Sequence, residues 1–398
     1  MGTSLDDYLA SLTVDELDAD PYPVFARIRA ERPVAYVPCV NLWWAVSAAA
    51  VEEVASDHRR FAAKPIPSPI DRTFGEPNVL TEDGAEQRRL RGMMDRPFRP
   101  RRVEEYAGPL IEPLIHEHLE RLDGRGRAEL MAEYFEPISV RSLAQVLGLA
   151  MIDDDTLRRW FAGLAEGVIN YEDDPAREAI GQATTREVDE VVRPILAQLL
   201  DEPDGSTVSE MMAAATGDVD ERIAQVMPTL KVILLGGMQE PGHAAGSTVL
   251  GLLSDPAQAA AFAEDPRGLA RQATEEGLRW ISPIGTQTRR VVEDTEVCGV
   301  AVPGGAGISA LLSSANRDEA VWGPDAERFD LFREGPLQVA FGHGTHFCVG
   351  HHFSRLQLQL AVAALFERFP DLRLDPTETP HVQGWEFRAP RTLPVVWG

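Results

Sequence analysis

Ten residues reading FGHGTHFCVG, Phe341 to Gly350, hold the densest chemistry in the chain. Cys348 follows a glycine-spaced loop and directly precedes a segment of helical character. A thiolate there meets the positive end of a helix dipole and unpaired backbone N–H groups, which predicts a lowered pKa. Gly342, Gly344 and Gly350 let the backbone approach a flat partner closely, because they carry no Cβ. Two metal chemistries follow. Thiolate ligation suits a haem iron, pushing electron density toward O–O bond cleavage. Alternatively, His343, His346, His351 and His352 lie close enough in sequence to join Cys348 in a zinc site. Cys39 and Cys298 have no such surroundings and read as small buried hydrophobes.

The elements that must position this loop are mainly helical. Asp265-Pro266 predicts an N-cap followed by proline at the first helical position, opening a helix through Trp280. Ile223, Met227, Leu230 and Leu234 recur at helical spacing, so roughly 219–252 reads as one long helix. Within it, Gly236, Gly237 and Pro241 predict a kink or a loosened hydrogen-bond ladder. From Arg290 to Leu312, β-branched runs broken by Gly-Pro-Gly turns predict a small sheet. The stretch after Cys348, rich in Leu and Ala, predicts a helix.

The chain has 398 residues, with 38 Lys+Arg against 63 Asp+Glu and a formal charge of −25. Such an acidic molecule repels a phosphate backbone, which argues against nucleic acid as a partner. Its 44% hydrophobic content is globular, and three cysteines cannot form a disulfide framework. Neither a secretory signal nor an uninterrupted apolar stretch of about 18 residues is visible. Met1-Gly2 opens like a myristoylation start, but Asp6 stands where Ser or Thr is required. The expectation is a cytoplasmic protein with no membrane partner.

The loop matches FxxGxxxCxG with His346 two residues before the cysteine, and so resembles the haem-binding loop of the cytochrome P450 superfamily. Other segments carry the resemblance across nearly the whole chain. Glu276 and Arg279 form an E-x-x-R pair, spaced to meet on one helix face. Pro283, Arg289 and Arg328 follow in the family's order, and DPYPVFARIRAERPV (20–34) and FRPRRV (98–103) resemble bacterial members. The implied fold is mostly α with a minor β part, one haem-centred domain spanning 1–398. The implied cofactor is haem b, iron protoporphyrin IX.

By this resemblance Cys348 is the axial iron ligand, with Phe341, Gly342 and Gly350 around it. His346, Arg289 and Arg91 match positions that hold the haem propionates, and Gln87 stands where the family often has His. Glu276, Arg279 and Arg328 would form an ion-pair network behind the loop. Where most members carry an acid and then Thr in the long helix, this chain has Gln239 and Glu240. The resemblance makes these the residues that handle protons beside the iron.

The segments LLGGMQEPGH, EGLRWISPI, EPISVRSL and GWEFR together resemble bacterial enzymes that O-demethylate lignin-derived methoxyphenols. Phe74, Val168, Val232, Gly236, Ile284 and Phe387 match that group's pocket positions. Val168 stands near a point where guaiacol-type relatives have Phe, which implies more room and favours syringol over guaiacol. The implied activity is a monooxygenase or peroxygenase yielding a catechol-type phenol and formaldehyde, driven by dioxygen or hydrogen peroxide. Electrons for the dioxygen route imply a separate reductase or ferredoxin, since three cysteines cannot ligate a four-Cys cluster. Arg99, Arg101 and Arg102 form a local basic island that could dock such a partner. Rival readings are a hydroxylase or epoxidase of another small substrate, and a non-enzymatic haem or zinc-binding protein.

Overall fold

A computed structural model describes residues 3–398; Met1 and Gly2, weighed above as a lipidation start, lie outside the described residues. The interior is built by helices α1 (Gly84–Met94), α2 (Pro100–Leu122), α3 (Glu136–Leu147), α4 (Asp154–Val168), α5 (Pro175–Asp201), α6 (Val219–Met238), α7 (Glu240–Leu253), α8 (Pro266–Trp280) and α9 (His351–Arg368). A five-stranded sheet flanks them. Its strands are β1 (Val34–Val37), β2 (Leu42–Ala45), β3 (Phe61–Ala62), β4 (Thr286–Val291) and β5 (Gly307–Leu311), in the order β1-β2-β5-β4-β3. Only the β2–β5 pairing is parallel. The mostly α architecture with a minor β part is therefore as expected. Among the described residues no helix is long and apolar enough to cross a membrane.

The long helix predicted over 219–252 is two helices. Pro241 has no N–H to donate back to Gly237, and its ring crowds that turn, so the ladder breaks at Gln239 (φ −108°) and α7 restarts at Glu240. Asp218 and Glu221 cap the start of α6 reciprocally. α8 runs over the predicted residues, its first turn held by the Asp265 carboxylate accepting from Gly268 N at 3.0 Å.

α7 is buried along its entire length, which explains its small residues. A Cβ on Gly277 of α8 would lie 2.0 Å from Thr248 Oγ1 of α7, so glycine sets the spacing of these two helices. On its other side α7 meets a π-helical turn, Met131–Phe135, that leads into α3. A Cβ on Gly242 would fall 2.8 Å from the Phe135 carbonyl oxygen, and one on Gly246 would collide with Met131. Cys298 is not buried as expected. It is exposed at positive φ (47°) in the turn between Thr295–Val297 and Val300–Val302, with Sγ 3.4 Å from Glu53 Oε2.

Candidate active site

The cysteine loop is drawn tight by its glycines. Gly342 (φ +76°) and Gly344 (φ +71°) take the left-handed conformation that side chains resist, and Cys348 N donates to the Phe341 carbonyl at 2.9 Å. Gly350 then opens α9, and the N–H groups of Gly350 and His351 point at the Cys348 sulfur. The thiol pKa is raised, opposite to the expectation from the helix N-terminus. Burial dominates, and the two N–H groups, Arg91 and Arg355 only partly offset it. The surface that Cys348 exposes is the wall of an internal cavity. A metal at the sulfur would take the place of the proton, and the same donors would then serve a thiolate.

The zinc alternative has no geometry behind it. His346 Nε2 meets Asp83 at 3.2 Å, His351 Nδ1 contacts Arg355 at 3.0 Å, and His352 faces Glu104 at 3.6 Å. Among the described residues no cluster of three or more His, Cys, Asp or Glu could hold a metal ion.

A large flat anion such as iron protoporphyrin fits better. Arg289 is buried, its Nη1 donates to the Thr288 carbonyl at 2.9 Å, and its Nη2 has no partner. Burial lowers its pKa to about 10, against the opposing influence of Asp83. An orphaned guanidinium in a cavity wall calls for an acceptor there, and a carboxylate supplies it. Burial also lowers the pKa of Arg91 in the same wall, which forms no ion pair among the described residues. His346 lines the cavity beside them. Gln87 does not line it: its Nε2 donates to the Thr345 carbonyl at 3.1 Å, so it braces the cysteine loop instead of reaching a propionate.

Behind the loop, the Glu276 carboxylate receives Arg279 Nε and Nη2, both at 2.7 Å, Asp330 N at 2.8 Å and Arg333 Nε at 3.2 Å. Arg279 is 1% exposed and also donates to the carbonyls of Asn316, Ala326 and Arg328. The second cation is thus Arg333, not Arg328. Arg328 contributes only its carbonyl, and its side chain is exposed.

Phe74, Val168, Val232, Gly236, Ile284 and Phe387 all line the cavity that Cys348 opens into. Val168 ends α4, Val232 and Gly236 lie on α6, and Ile284 and Phe387 are joined by an isolated bridge. Glu240, the first residue of α7, lines the cavity as well, whereas Gln239 occupies the break beside it and does not. The expected basic island is largely cancelled by its own neighbours: Arg99 pairs with Asp95 at 3.1 Å, and Arg101 and Arg102 share Glu105 at 3.7 and 2.7 Å.

Two buried polar groups had no role in the sequence reading. Glu386 lines the cavity, accepts from Thr286 Oγ1 at 2.6 Å, and is pushed up to about 7 by burial. His243, one turn beyond Glu240, touches its carboxylate. Both lie inside the quoted segments GWEFR and LLGGMQEPGH, whose other members drew the attention.

Comparison with known proteins agrees with this geometry. The family model described as Cytochrome P450 matches residues 268–386. The chain is 33% identical to cytochrome P450 107B1 of Saccharopolyspora erythraea over 324 residues, covering 80% of this chain and 77% of that one. It is 31% identical to the cytochrome P450 monooxygenase PikC of Streptomyces venezuelae over 400 residues, covering 95% and 91%. Among solved structures it superposes on ligand-free CYP164A2 of Mycobacterium smegmatis with a TM-score of 0.85 at 27% identity, covering 98% and 99%. The chain belongs to the cytochrome P450 family of haem b monooxygenases.

Proposed function

We propose that this enzyme O-demethylates small methoxyphenols, syringol ahead of guaiacol, releasing a catechol-type phenol and formaldehyde. In this reading residues 1–398 act as one haem-centred unit, in which Cys348 would bind the iron and Arg91, Arg289 and His346 would hold the haem carboxylates. What carries it is the cavity wall: Phe74, Phe387, Val168, Val232 and Ile284 enclose the cavity, Gly236 leaves space, and a carboxylate, Glu240, stands among them. A flat aryl ether fits such a chamber, and a β-branched Val168 in place of a ring leaves room for a second methoxy group.

Haem b, when bound, supplies the activation of dioxygen or peroxide for insertion of one oxygen atom. The side chains do the rest. The apolar wall excludes water and holds the methoxy carbon toward the Cys348 side of the cavity. Glu240 takes a proton from one peroxide oxygen and returns it to the departing one, as general base and then acid. One methoxyarene and one hydrogen peroxide give the hydroxymethyl ether and water. The bond between the aryl oxygen and the hydroxymethyl carbon then breaks, the hydroxyl proton passes to the phenol oxygen, and formaldehyde leaves. With dioxygen, two electrons and two protons enter instead, the electrons from a separate reductase or ferredoxin.

A second reading, hydroxylation of a bulkier natural product, draws on relatives named vitamin D(3) 25-hydroxylase and 6-deoxyerythronolide B hydroxylase, at 31% and 29% identity. Titration of the purified haem protein separates the two. Syringol and guaiacol should each shift the haem spin state, syringol more strongly, and Glu240→Thr should lower the peroxide-supported rate while the haem spectrum stays normal. A shift with a macrolide or sterol-like ligand and with neither phenol would favour the second reading.

A further inference from the structure

His243 is 1% exposed and sits between two carboxylates contributed by different helices. Its Nδ1 is 3.3 Å from Glu240 Oε2 on its own helix, α7. On the opposite side of the ring, Nε2 is 3.7 Å from Glu136 Oε1 at the start of α3, an ion-pair separation longer than a hydrogen bond. Glu136 in turn pairs with Arg158 of α4, and these two side chains are 17% and 24% exposed, so they reach solvent. Glu240 reaches the cavity. Four side chains from three helices therefore run in file from water to the active-site wall, with one gap, between His243 Nε2 and Glu136.

We propose that Glu240, His243 and Glu136 form a proton relay that carries protons from solvent at Arg158 to the cavity. The claim that protons are delivered inward rests on the dioxygen route given above, which takes up two protons beside Glu240; the file itself does not. A static buried ion pair is expected to use up its hydrogen-bonding valences, because each open one costs free energy. Here two remain open, His243 Nε2 and Glu240 Oε1, one toward the solvent end and one at the cavity end. Phe161 packs edge-on against the His243 ring at 5.6 Å and against Phe387 of the cavity wall at 6.3 Å, leaving an apolar flank beside the file.

The backbone is shaped to permit this. Gly242 lets α7 press against the carbonyl of Phe135, and the π-helical turn Met131–Phe135 delivers Glu136 directly beside His243. π turns recur at functional positions because they re-aim the residues that follow.

The charged groups facing His243 are Glu240 on α7, Glu136 on α3 and, behind Glu136, Arg158 on α4. Burial favours the neutral ring, but the two carboxylates outweigh it and raise the His243 pKa. Burial would also raise Glu136, yet His243 and Arg158 reverse that and bring it down to about 2. His243 is therefore the member of the file whose surroundings favour the protonated form. The imidazolium passes its Nδ1 proton to Glu240, and the neutral ring, after reorienting, takes up a proton that Glu136 has collected from water. For each proton leaving Glu240 one enters at Glu136, and no electron moves.

Two measurements on the haem-loaded protein test this. In the diamagnetic ferrous–CO state with ¹⁵N-labelled histidine, one of the nine histidines should titrate above the value of an unperturbed ring. That signal should vanish in His243→Gln and titrate at lower pH in Glu136→Gln. The rate with dioxygen and a supplied reductase should fall about tenfold or more in both variants, and more steeply as pH rises, with the CO spectrum unchanged. Glu136→Gln keeps the test valid if His243→Gln fails to fold. A His243 that titrates at or below the value of an unperturbed ring overturns the relay. Loss of rate in Glu240→Gln but not in the other two also overturns it, leaving Glu240's own role standing. An unchanged rate in Glu240→Gln removes that role and the relay together.

Discussion

Glu276→Gln isolates the network that holds residues 326–333 behind the cysteine loop. Of the four donors reaching the carboxylate, three converge on Oε1 and one, Arg279 Nε, on Oε2. A glutamine that keeps its oxygen at the crowded position turns an NH₂ group toward Arg279 Nε, donor against donor. The guanidinium is left buried with carbonyl acceptors only. Removing one partner of a buried ion pair costs about 3–5 kcal/mol. At roughly 2.1 cal/mol/K per residue, 398 residues give an unfolding entropy of about 0.8 kcal/mol/K. The midpoint should therefore drop by about 4–6 °C, followed by circular dichroism with loss of the Soret band read in parallel. Arg328→Ala is the matched control, because only its carbonyl takes part; its midpoint should move by less than about 1 °C. A drop under about 1 °C for Glu276→Gln, or equal drops for the two variants, would refute the assignment.

Other outcomes follow from single positions. Gly236→Ala places a Cβ in open space in a helix, so it should raise stability by up to about 1 kcal/mol while weakening the syringol-induced spin shift. Arg289→Leu removes a buried guanidinium that lacks a partner at Nη2. The folded chain should survive, but haem should transfer to apomyoglobin about tenfold faster, as expected for losing one charged hydrogen bond. Glu136, lowered to about 2, adds stability that is fully present above its unfolded pKa and lost as pH falls through the folded one. Glu136→Gln should therefore remove up to about 3 kcal/mol of the acid-dependent stability between about pH 4.5 and 2, read from urea unfolding at stepped pH.

What could be read from the sequence was local. The FGHGTHFCVG loop, the E-x-x-R pair and the α8 cap each lie within ten residues, where spacing alone determines which atoms meet. The six wall residues came through resemblance to a family's pocket positions, three of them (Gly236, Ile284 and Phe387) inside the quoted segments, and they share one cavity. Failures came where tertiary structure chooses between neighbours. Arg328 and Arg333 are equally plausible cations in sequence, and only the path of the backbone over 326–333 turns Arg333 onto Glu276. Gln87 was read as facing the cofactor, but the loop carbonyl of Thr345 claims its amide. The Cys348 thiol follows burial over the helix dipole, a balance that depends on how far the cavity excludes water. His243 had no spacing signature, because its second partner, Glu136, comes from a different helix more than a hundred residues earlier.

The most direct test of O-demethylation is product stoichiometry with syringol and hydrogen peroxide. The account predicts one formaldehyde per syringol consumed, with the matching catechol-type phenol, and a lower yield from guaiacol. Ring- or side-chain-hydroxylated product without formaldehyde would contradict it.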